Sequence, residues 1–282
     1  MRMQVLAARS PAWAVAAADA SQLIHGSAFE PLKQSPRTVA GFTVVDGTRV
    51  FIKRVSEGGW PKGWLLRLRG SRARRVLRGA AILKAAGFAC PEPLAAAEAR
   101  VLGAVRASYV ISEALGDARI MSSVVLAGGR RTFRRRRQIL AAVAIEIRRL
   151  HDAGIYTRDL QETNLMITEE GDNWKVHFVD LEDFRRDRAV SEKHRLLNLV
   201  HLDRTMGRSV PRTQRLRFLY RYLGGRPSSD EVRRVLRYFF SLRDHAERRA
   251  HAHGRPGIIQ RPRESATLMA PESLQQSGRF CD

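Results

Sequence analysis

The chain has 282 residues, of which 44% are hydrophobic, and its 50 lysines and arginines against 28 aspartates and glutamates give a formal net charge of +22. This length allows one large domain or two lobes, and no apolar stretch reaches the roughly 20 residues of a membrane-spanning helix. Two cysteines are too few for a disulfide framework, which favours a reducing compartment. Only six of the basic residues are lysines, and such an arginine-rich surface is expected to attract an anionic glycan, nucleic acid or acidic membrane surface.

The first part of the chain shows the alternation of strands. Four runs are predicted as strands: residues 39–45, 50–55, 98–106 and 108–112. The first two are joined by Asp46 and Gly47, a strong hairpin signal. Lys53 lies inside the second run, where a compact ammonium that binds phosphate oxygens would explain a lysine in an arginine-biased chain. The alternative is an edge-strand lysine that faces water.

Helical periodicity dominates the later part. Helices are predicted at residues 71–86, 139–151, 194–206, 213–223 and 229–245. A polar connection at residues 113–117 separates the two patterns. We therefore expect a β-rich lobe at residues 25–112 and a helical lobe at 113–253. An N-terminal extension (1–24) and a basic, disordered tail (254–282) complete the expected organisation.

Polar side chains flank a predicted β-hairpin in the middle of the chain. Two short apolar runs, residues 165–168 and 176–179, are separated by a turn-like segment. Asp159 and Asn164 precede the first run and Asp180 follows the second, so a hairpin would bring all three to one end of a sheet. Two carboxylates and an amide oxygen suit Mg²⁺, a hard cation that prefers oxygen ligands. The alternative is a polar hairpin with solvated carboxylates.

The spacing of these residues is that of a kinase catalytic loop. There an Asp is followed five positions later by an Asn, and a further Asp ends a later strand. Asp159 and Asn164 supply the first pair, and Asp180 stands where Asp-Phe-Gly would begin.

With these motifs, the sequence resembles the lipopolysaccharide kinase (Kdo/WaaP) family, a bacterial branch of the protein-kinase-like fold. The resemblance covers about residues 32–224. It implies an α+β, bilobal protein-kinase-like fold with a small β-rich N-lobe and a larger helical C-lobe. It rests on the segments 33–38 (KQSPRT), 51–54 (FIKR), 86–93 (AGFACPEP), 150–156 (LHDAGIY), 158–160 (RDL), 178–180 (FVD), 198–199 (NL) and 217–223 (RFLYRYL).

The resemblance implies a kinase that uses ATP and Mg²⁺ to phosphorylate a sugar hydroxyl, on Kdo or heptose, of the lipopolysaccharide inner core. It implies a cytoplasmic protein in peripheral contact with the inner membrane. In this family Asp159 would accept the proton of the attacking hydroxyl, Asn164 and Asp180 would hold Mg²⁺, and Lys53 would bind the α- and β-phosphates. The other expected nucleotide-binding residues are Lys33, Ser35, Arg37, Thr38 and Glu113, with backbone amides of residues 35–38 covering the phosphates.

Three departures from the kinase pattern leave alternatives open. Thr157 replaces the usual His, and Gly41 is the single glycine of the presumed phosphate loop. The predicted helix 71–86 has no acidic residue, and Val76 takes the place of the Glu that pairs with the strand lysine. Lys53 is then oriented by another carboxylate or less well oriented. The alternatives are a kinase of protein Ser/Thr or of another small molecule, and a catalytically silent protein that binds anionic glycan.

Two arginine-dense blocks stand out. Residues 67–78 mix arginines with apolar residues, which indicates an ordinary helix with a solvated face. Residues 130–137 have fewer apolar positions and are as well explained by a contact surface beside the acceptor groove as by a solvated surface. No nucleic-acid-binding motif is present, so no specific nucleic acid is expected as a partner.

Overall fold

The computed structural model describes residues 1–58, 70–126, 131–171, 173–207 and 209–252. The strands are β1 (Arg2–Ala8), β2 (Glu30–Gln34), β3 (Thr38–Val45), β4 (Thr48–Ser56), β5 (Pro93–Val101), β6 (Ala104–Glu113), β7 (Arg119–Ile120), β8 (Ile155–Thr157), β9 (Leu165–Glu170), β10 (Asn173–Phe178) and β11 (Phe184–Arg186). The helices are α1 (Pro11–Ala18), α2 (Ala20–Leu23), α3 (Arg72–Ala85), α4 (Met121–Leu126), α5 (Arg131–Asp152), α6 (Glu192–Met206), α7 (Arg212–Tyr222) and α8 (Ser229–Ala252), with short 3₁₀ turns at Glu162–Asn164 and Leu181–Asp183. The predicted tail, residues 254–282, lies outside the described residues.

Six antiparallel strands in the order β1-β5-β6-β4-β3-β2 form the sheet of the smaller lobe. Helices α1 and α2 pack on one face, where their alanines contact buried residues such as Ile52 and Ile111. Helix α3 packs on the other face through Ala73, which contacts Ala96 and Val110. The sheet is therefore covered on both faces, and Lys53, which pairs with Val110, lies on the face of α3.

Residues 1–24 are part of this lobe and not an extension from it. Strand β1 pairs with β5 along the edge of the sheet, and α1 and α2 cover one face. Their alanines are small enough to bring helix and sheet close together, so this alanine-rich run forms part of the core.

The predicted strand boundary between residues 98–106 and 108–112 is wrong. The chain turns at Leu102 and Gly103, whose φ angles are 49° and 79°, and β5 and β6 extend on either side. Two positive φ angles in succession make a tight hairpin turn, which usually carries Asn-Gly or Asp-Gly. Leu102 lacks that signal, so the strand was predicted to run through the turn.

The larger lobe packs around α5. Its buried residues Ile139, Val143, Ile147 and Leu150 follow the predicted helical period. The helix begins at Arg131, eight residues before the predicted start. The hairpin of β9 and β10 lies beside it, and α6, α7 and α8 complete the lobe. The bilobal α+β architecture expected from the sequence is confirmed. In the described part of the chain, no helix combines the length and apolar character needed to cross a membrane.

Candidate active site

The loop between β8 and β9 and the end of β10 come together as the sequence predicts. The Asn164 side-chain amide donates a hydrogen bond to the main-chain oxygen of Asp159 at 2.9 Å. The N–H of Val179 donates to the main-chain oxygen of Asn164 at 3.0 Å, which places Asp180 beside that residue. Because the Asn164 NH₂ group is turned to the loop, its amide oxygen is left for another ligand.

Asp180 adopts a left-handed backbone conformation, with φ 57° and ψ 65°. Such a conformation is uncommon outside glycine, although Asp tolerates it better than most residues, and it is enriched at functional sites. It turns the chain sharply from β10 into the 3₁₀ turn of Leu181–Asp183 and leaves the carboxylate of Asp180 partly exposed.

Lys53 is bound by two carboxylates from the other lobe. Its Nζ lies 2.9 Å from Asp180 Oδ1 and 3.2 Å from Glu182 Oε1. Burial lowers the pKa of Lys53, but the negative charges and hydrogen bonds of the two carboxylates outweigh this, and its pKa is raised above the ordinary value. Lys53 is therefore a fixed cation, which rules out the solvent-facing edge lysine considered from the sequence.

Glu182 also binds helix α3. Its side chain is 8% exposed, and its Oε2 lies 3.1 Å from Arg72 Nη1 and 3.5 Å from Arg75 Nη2. The sequence did not single out Glu182. Two features of the sequence pointed to it: the predicted helix 71–86 lacks the expected Glu, and an additional carboxylate stands two positions after Asp180.

Helix α3 lies directly on the turn that carries Glu182. A Cβ atom added at Gly79 would lie 2.0 Å from the main-chain oxygen of Leu181. Only glycine allows this approach, so Gly79 sets how closely α3 meets the segment after Asp180. Val76 packs partly buried against apolar side chains on this helix and makes no polar substitute for a Glu.

The arginines at the start of α3 are paired with buried carboxylates. Arg72 binds Glu57 through its N–H, and Arg74 lies 3.0 Å from Glu98, which is 1% exposed. Burial raises the pKa of Glu98, but hydrogen bonds from Ser71, Arg100 and Arg74 outweigh it and lower the pKa overall. Since cations are unfavourable at a helix N-terminus, these carboxylates offset a local cost. The solvated face expected for residues 67–78 is thus found in part: Arg74 and Arg78 are exposed, Arg72 and Arg75 are half-buried, and residues 67–69 lie outside the described residues.

A buried polar network supports the backbone at the start of the loop between β8 and β9. His151 Nε2 lies 3.0 Å from Asn198 Oδ1, and His151 Nδ1 lies 2.8 Å from the Tyr222 hydroxyl. Asn198 binds both the N–H and the C=O of Thr157, whose hydroxyl accepts from the Asp159 N–H at 3.3 Å. Burial lowers the pKa of His151 to about 4, so the ring is neutral and donates to Asn198 through Nε2. This network fixes the backbone at Thr157, the position where the kinase motif usually has His.

Two further polar residues surround Asp159. The side-chain amide of Gln161 donates to Asp159 Oδ1 and fixes the carboxylate. His201, on α6, is close enough to sense its charge. Burial lowers the pKa of His201, with the Asp159 charge acting in the opposite direction. The carboxylate is therefore oriented by a neutral donor and has no basic side chain paired with it in the described structure.

The donor set suits Mg²⁺ only in part. Asn164 and Asp180 offer one amide oxygen and one carboxylate, hard oxygen ligands of the kind Mg²⁺ prefers. Among the residues that the structure describes, no group of three or more His, Cys, Asp or Glu side chains is placed to hold a metal ion. Two protein oxygens are too few for an all-protein site, and they fit a metal ion that also binds substrate phosphates.

The predicted phosphate-binding residues lie on the same sheet as Lys53. Lys33 pairs with Ala40, and Ala40 pairs with Lys53, so both lysines point to one face about 10 Å apart. The N–H groups of Ser35 and Thr38 are already used within the turn, at 2.9 and 3.2 Å, and Pro36 has none. The backbone N–H groups expected to cover the phosphates are therefore largely used within the turn.

Glu113 ends β6 at the connection between the lobes, where its N–H donates to the main-chain oxygen of Glu92 at 2.9 Å. Glu113 is exposed, and its expected contact with the nucleotide stays a prediction.

The second arginine block is partly structural. Arg135 lies 2.7 Å from Glu169 and stacks on the Trp174 ring at 4.8 Å, while Arg136 donates to the main-chain oxygen of Val125. Glu169 and Trp174 lie at the turn end of the hairpin, four residues along β9 from Leu165, or about 13 Å from the end that carries Asn164. Within the described part of the block, Arg134 and Arg137 are exposed.

Comparisons with known proteins agree with this arrangement. A profile of the lipopolysaccharide kinase (Kdo/WaaP) family matches residues 46–222, more than half of the chain. A solved structure described as WaaP in complex with acyl carrier protein superposes with a TM-score of 0.61 at 20% identity, covering 87% of this chain and 99% of that one. No curated protein matches. At that identity the structural match shows the fold alone, and the family profile carries the assignment. The chain belongs to the lipopolysaccharide kinase (Kdo/WaaP) family of phosphotransferases.

Proposed function

We propose that this protein is an ATP-dependent kinase that phosphorylates a sugar hydroxyl, on Kdo or heptose, of the lipopolysaccharide inner core. One observation carries the proposal. Lys53 from the sheet lobe is bound at 2.9 Å to Asp180 from the helical lobe, next to the Asp159–Asn164 loop. Residues 127 positions apart in sequence thus form one charged site between the lobes.

Each residue has a role that its surroundings support. Asp159, fixed by Gln161, accepts the proton of the acceptor hydroxyl. Lys53 and Lys33 neutralise and orient the phosphates of ATP from one face of the sheet. Asn164 and Asp180 would hold Mg²⁺, which would offset the negative charge of the phosphates. Because phosphoryl transfer needs little covalent help from a protein, positioning and charge neutralisation account for most of the catalysis.

The catalytically silent alternative is disfavoured by the surroundings of Lys53. That alternative rested on the missing helix Glu, without which a strand lysine would be poorly oriented. Lys53 has two carboxylate partners, and its side chain is only 25% exposed. Only the family assignment argues against phosphorylation of a protein or of another small molecule, so the acceptor is tested directly.

The test is ATP turnover with purified core acceptors of defined length, one ending in Kdo and one extended by heptose. We expect turnover with one of them, and its loss in Asp159→Asn, which keeps the size of the side chain and removes the base. Turnover with a protein substrate and none with either glycan would overturn the proposed acceptor. Absence of turnover with every acceptor, despite ATP binding, would favour the silent alternative.

A second proposed partner is an acyl carrier protein. An apolar cavity of about 450 Å³ is lined by residues of α6, α7 and α8, and its lining includes Arg212, Arg215 and Arg243 as well as Asp203, which pairs with Arg215 at 2.7 Å. An acyl chain on an anionic carrier matches both features. Binding of acylated and unacylated carrier to the wild type should differ, and Leu236→Trp, which fills the cavity, should abolish the difference. Equal binding of both carriers to the wild type would refute this partner.

We also propose that the protein acts at the inner face of the cytoplasmic membrane, where its acceptor is built. The net charge of +22 supports contact with anionic lipid. Cosedimentation with vesicles should rise with their phosphatidylglycerol content and fall with added salt. Equal cosedimentation with neutral and anionic vesicles would contradict this placement.

A further inference from the structure

We infer that Glu182 is the positioning residue of Lys53, and that it takes over, from the turn after Asp180, the role that a helix glutamate has in protein kinases. The inference rests on the proposed function, in which Lys53 binds the phosphates of ATP. It assigns a role to a carboxylate that neither the motif spacing nor the family resemblance singled out.

The two oxygens of Glu182 have separate partners. Oε1 lies 3.2 Å from Lys53 Nζ, while Oε2 faces Arg72 and Arg75 at 3.1 and 3.5 Å. The arginines therefore hold one side of the carboxylate and present the other to the lysine. Neutralising the two arginines would not by itself require the other oxygen of Glu182 to point at Lys53.

Burial makes this arrangement costly and therefore specific. A carboxylate that is 8% exposed loses most of its hydration, and removing a single partner of such a buried pair leaves an uncompensated charge. Three cations offset this cost around Glu182. Well-packed apolar residues serve stability as well as such a cluster, so its presence beside Lys53 is better explained by what it does to the lysine.

In the proposed function the carboxylate of Asp180 would also hold Mg²⁺, so it would be shared between Lys53 and the metal ion. Glu182 Oε1 lies 3.2 Å from Lys53 Nζ and would supply a second contact that does not depend on Asp180. Lys53 would then be oriented toward the phosphates by Glu182.

Helix α3 explains why the carboxylate comes from the turn. At Gly79 the helix already touches the main-chain oxygen of Leu181, and Val76 packs against apolar side chains. The helix contributes Arg72 and Arg75 in place of the kinase glutamate, and the turn contributes the carboxylate of Glu182. The lysine still receives one carboxylate in addition to Asp180.

The test separates positioning from structural support. Glu182→Gln removes the charge, and Glu98→Gln is the matched control, because Glu98 is also buried against arginines but does not contact Lys53. The time profile of Lys53 acetylation by acetic anhydride is measured by mass spectrometry at one fixed pH, without nucleotide. With only six lysines in the chain, its peptide is easily followed.

Because Glu182 Oε1 holds Lys53 Nζ at 3.2 Å, Lys53 should be acetylated faster in Glu182→Gln than in the wild type, and Glu98→Gln should not show this change. Glu182→Gln should also lower kcat/KM for ATP by about 10²-fold, the size expected for a misplaced catalytic group. Glu182→Asp, which keeps the arginines neutralised and so protects folding, should give an intermediate profile.

Wild-type acetylation profiles in both Glu182→Gln and Glu182→Asp would overturn the inference, whether or not activity changes. Equal profiles of Glu182→Gln and Glu98→Gln would overturn it as well, since the effect would then be structural. Failure of the proposed function is distinguishable, because wild-type protein would then lack turnover while the acetylation comparison still reports on Glu182.

Discussion

Replacing Gly79 by alanine tests the contact between α3 and the turn that carries Asp180 and Glu182. The added Cβ would lie 2.0 Å from the main-chain oxygen of Leu181 and 3.0 Å from its carbonyl carbon. Ordinary contacts begin at 3.4 Å, so helix and turn must separate by more than 1 Å. The obstacle is backbone and cannot rotate away as a side-chain end can.

Two effects of opposite sign decide the outcome. Alanine favours a helix interior over glycine by about 1 kcal/mol. Overpacking in a close-packed region costs about 1–3 kcal/mol, and a contact with backbone belongs at the upper end. We therefore expect Gly79→Ala to lower the free energy of unfolding by about 1–2 kcal/mol. Because the displaced segment carries Asp180 and Glu182, activity should fall further than stability does.

Urea unfolding monitored by circular dichroism gives the change in stability, and kcat/KM for ATP gives the change at the site. Gly116→Ala is the control, since no atom lies within 4 Å of its added Cβ. A Gly79→Ala protein that is more stable than the wild type and equally active would show that helix propensity wins. The close contact would then have no part in positioning the site.

Three further predictions concern the site and its surroundings. Asp159→Ala should lower turnover by at least ~10²-fold with ATP binding nearly unchanged, whereas Asp180→Ala should abolish Mg²⁺-dependent nucleotide binding; unchanged turnover in both would refute the site. Since burial holds the pKa of His151 near 4, below its unfolded value, stability should fall by up to ~3 kcal/mol as pH drops from about 6.5 to 4, and urea unfolding of His151→Gln should show a flatter profile. Replacing Arg134 and Arg137 with Gln should weaken acceptor binding and flatten its salt dependence if this block contacts the acceptor, and an unchanged slope would mark it as solvated surface.

The parts of the fold with strong local signals could be predicted from sequence. The Asp46–Gly47 turn, the apolar period of α5 and the hairpin of β9 and β10 each depend on a few neighbouring residues, and each is found where expected. The turn at Leu102–Gly103 was missed because its conformation is imposed by strand pairing and not by its own residues. Strand β1 was missed because its pairing partner, β5, is distant in sequence.

The residues of the site also differ in whether the sequence alone could predict them. Asp159, Asn164 and Asp180 have a fixed spacing along the chain, so sequence was enough to bring them together. Glu182 and the arginines of α3 could not be found by spacing, because their pairing depends on how the helix docks on a segment more than 100 residues away. The distance of Arg135 from the catalytic loop could not be predicted either, because it depends on which end of the hairpin packs against α5.

With the carboxylate on the turn and not on the helix, a different part of the structure positions it relative to the metal ligand. Asp180 and Glu182 are two residues apart on one short turn, so the spacing between the metal ligand and the lysine partner is set by local backbone. In an arrangement with a helix glutamate, that spacing depends on where the helix lies. Here helix α3 contributes by packing, through Gly79 against Leu181, and by the two arginines that hold Glu182 Oε2. A glutamate introduced at Val76 would therefore add a buried charge among apolar contacts, and it would not restore activity to a Glu182→Gln protein.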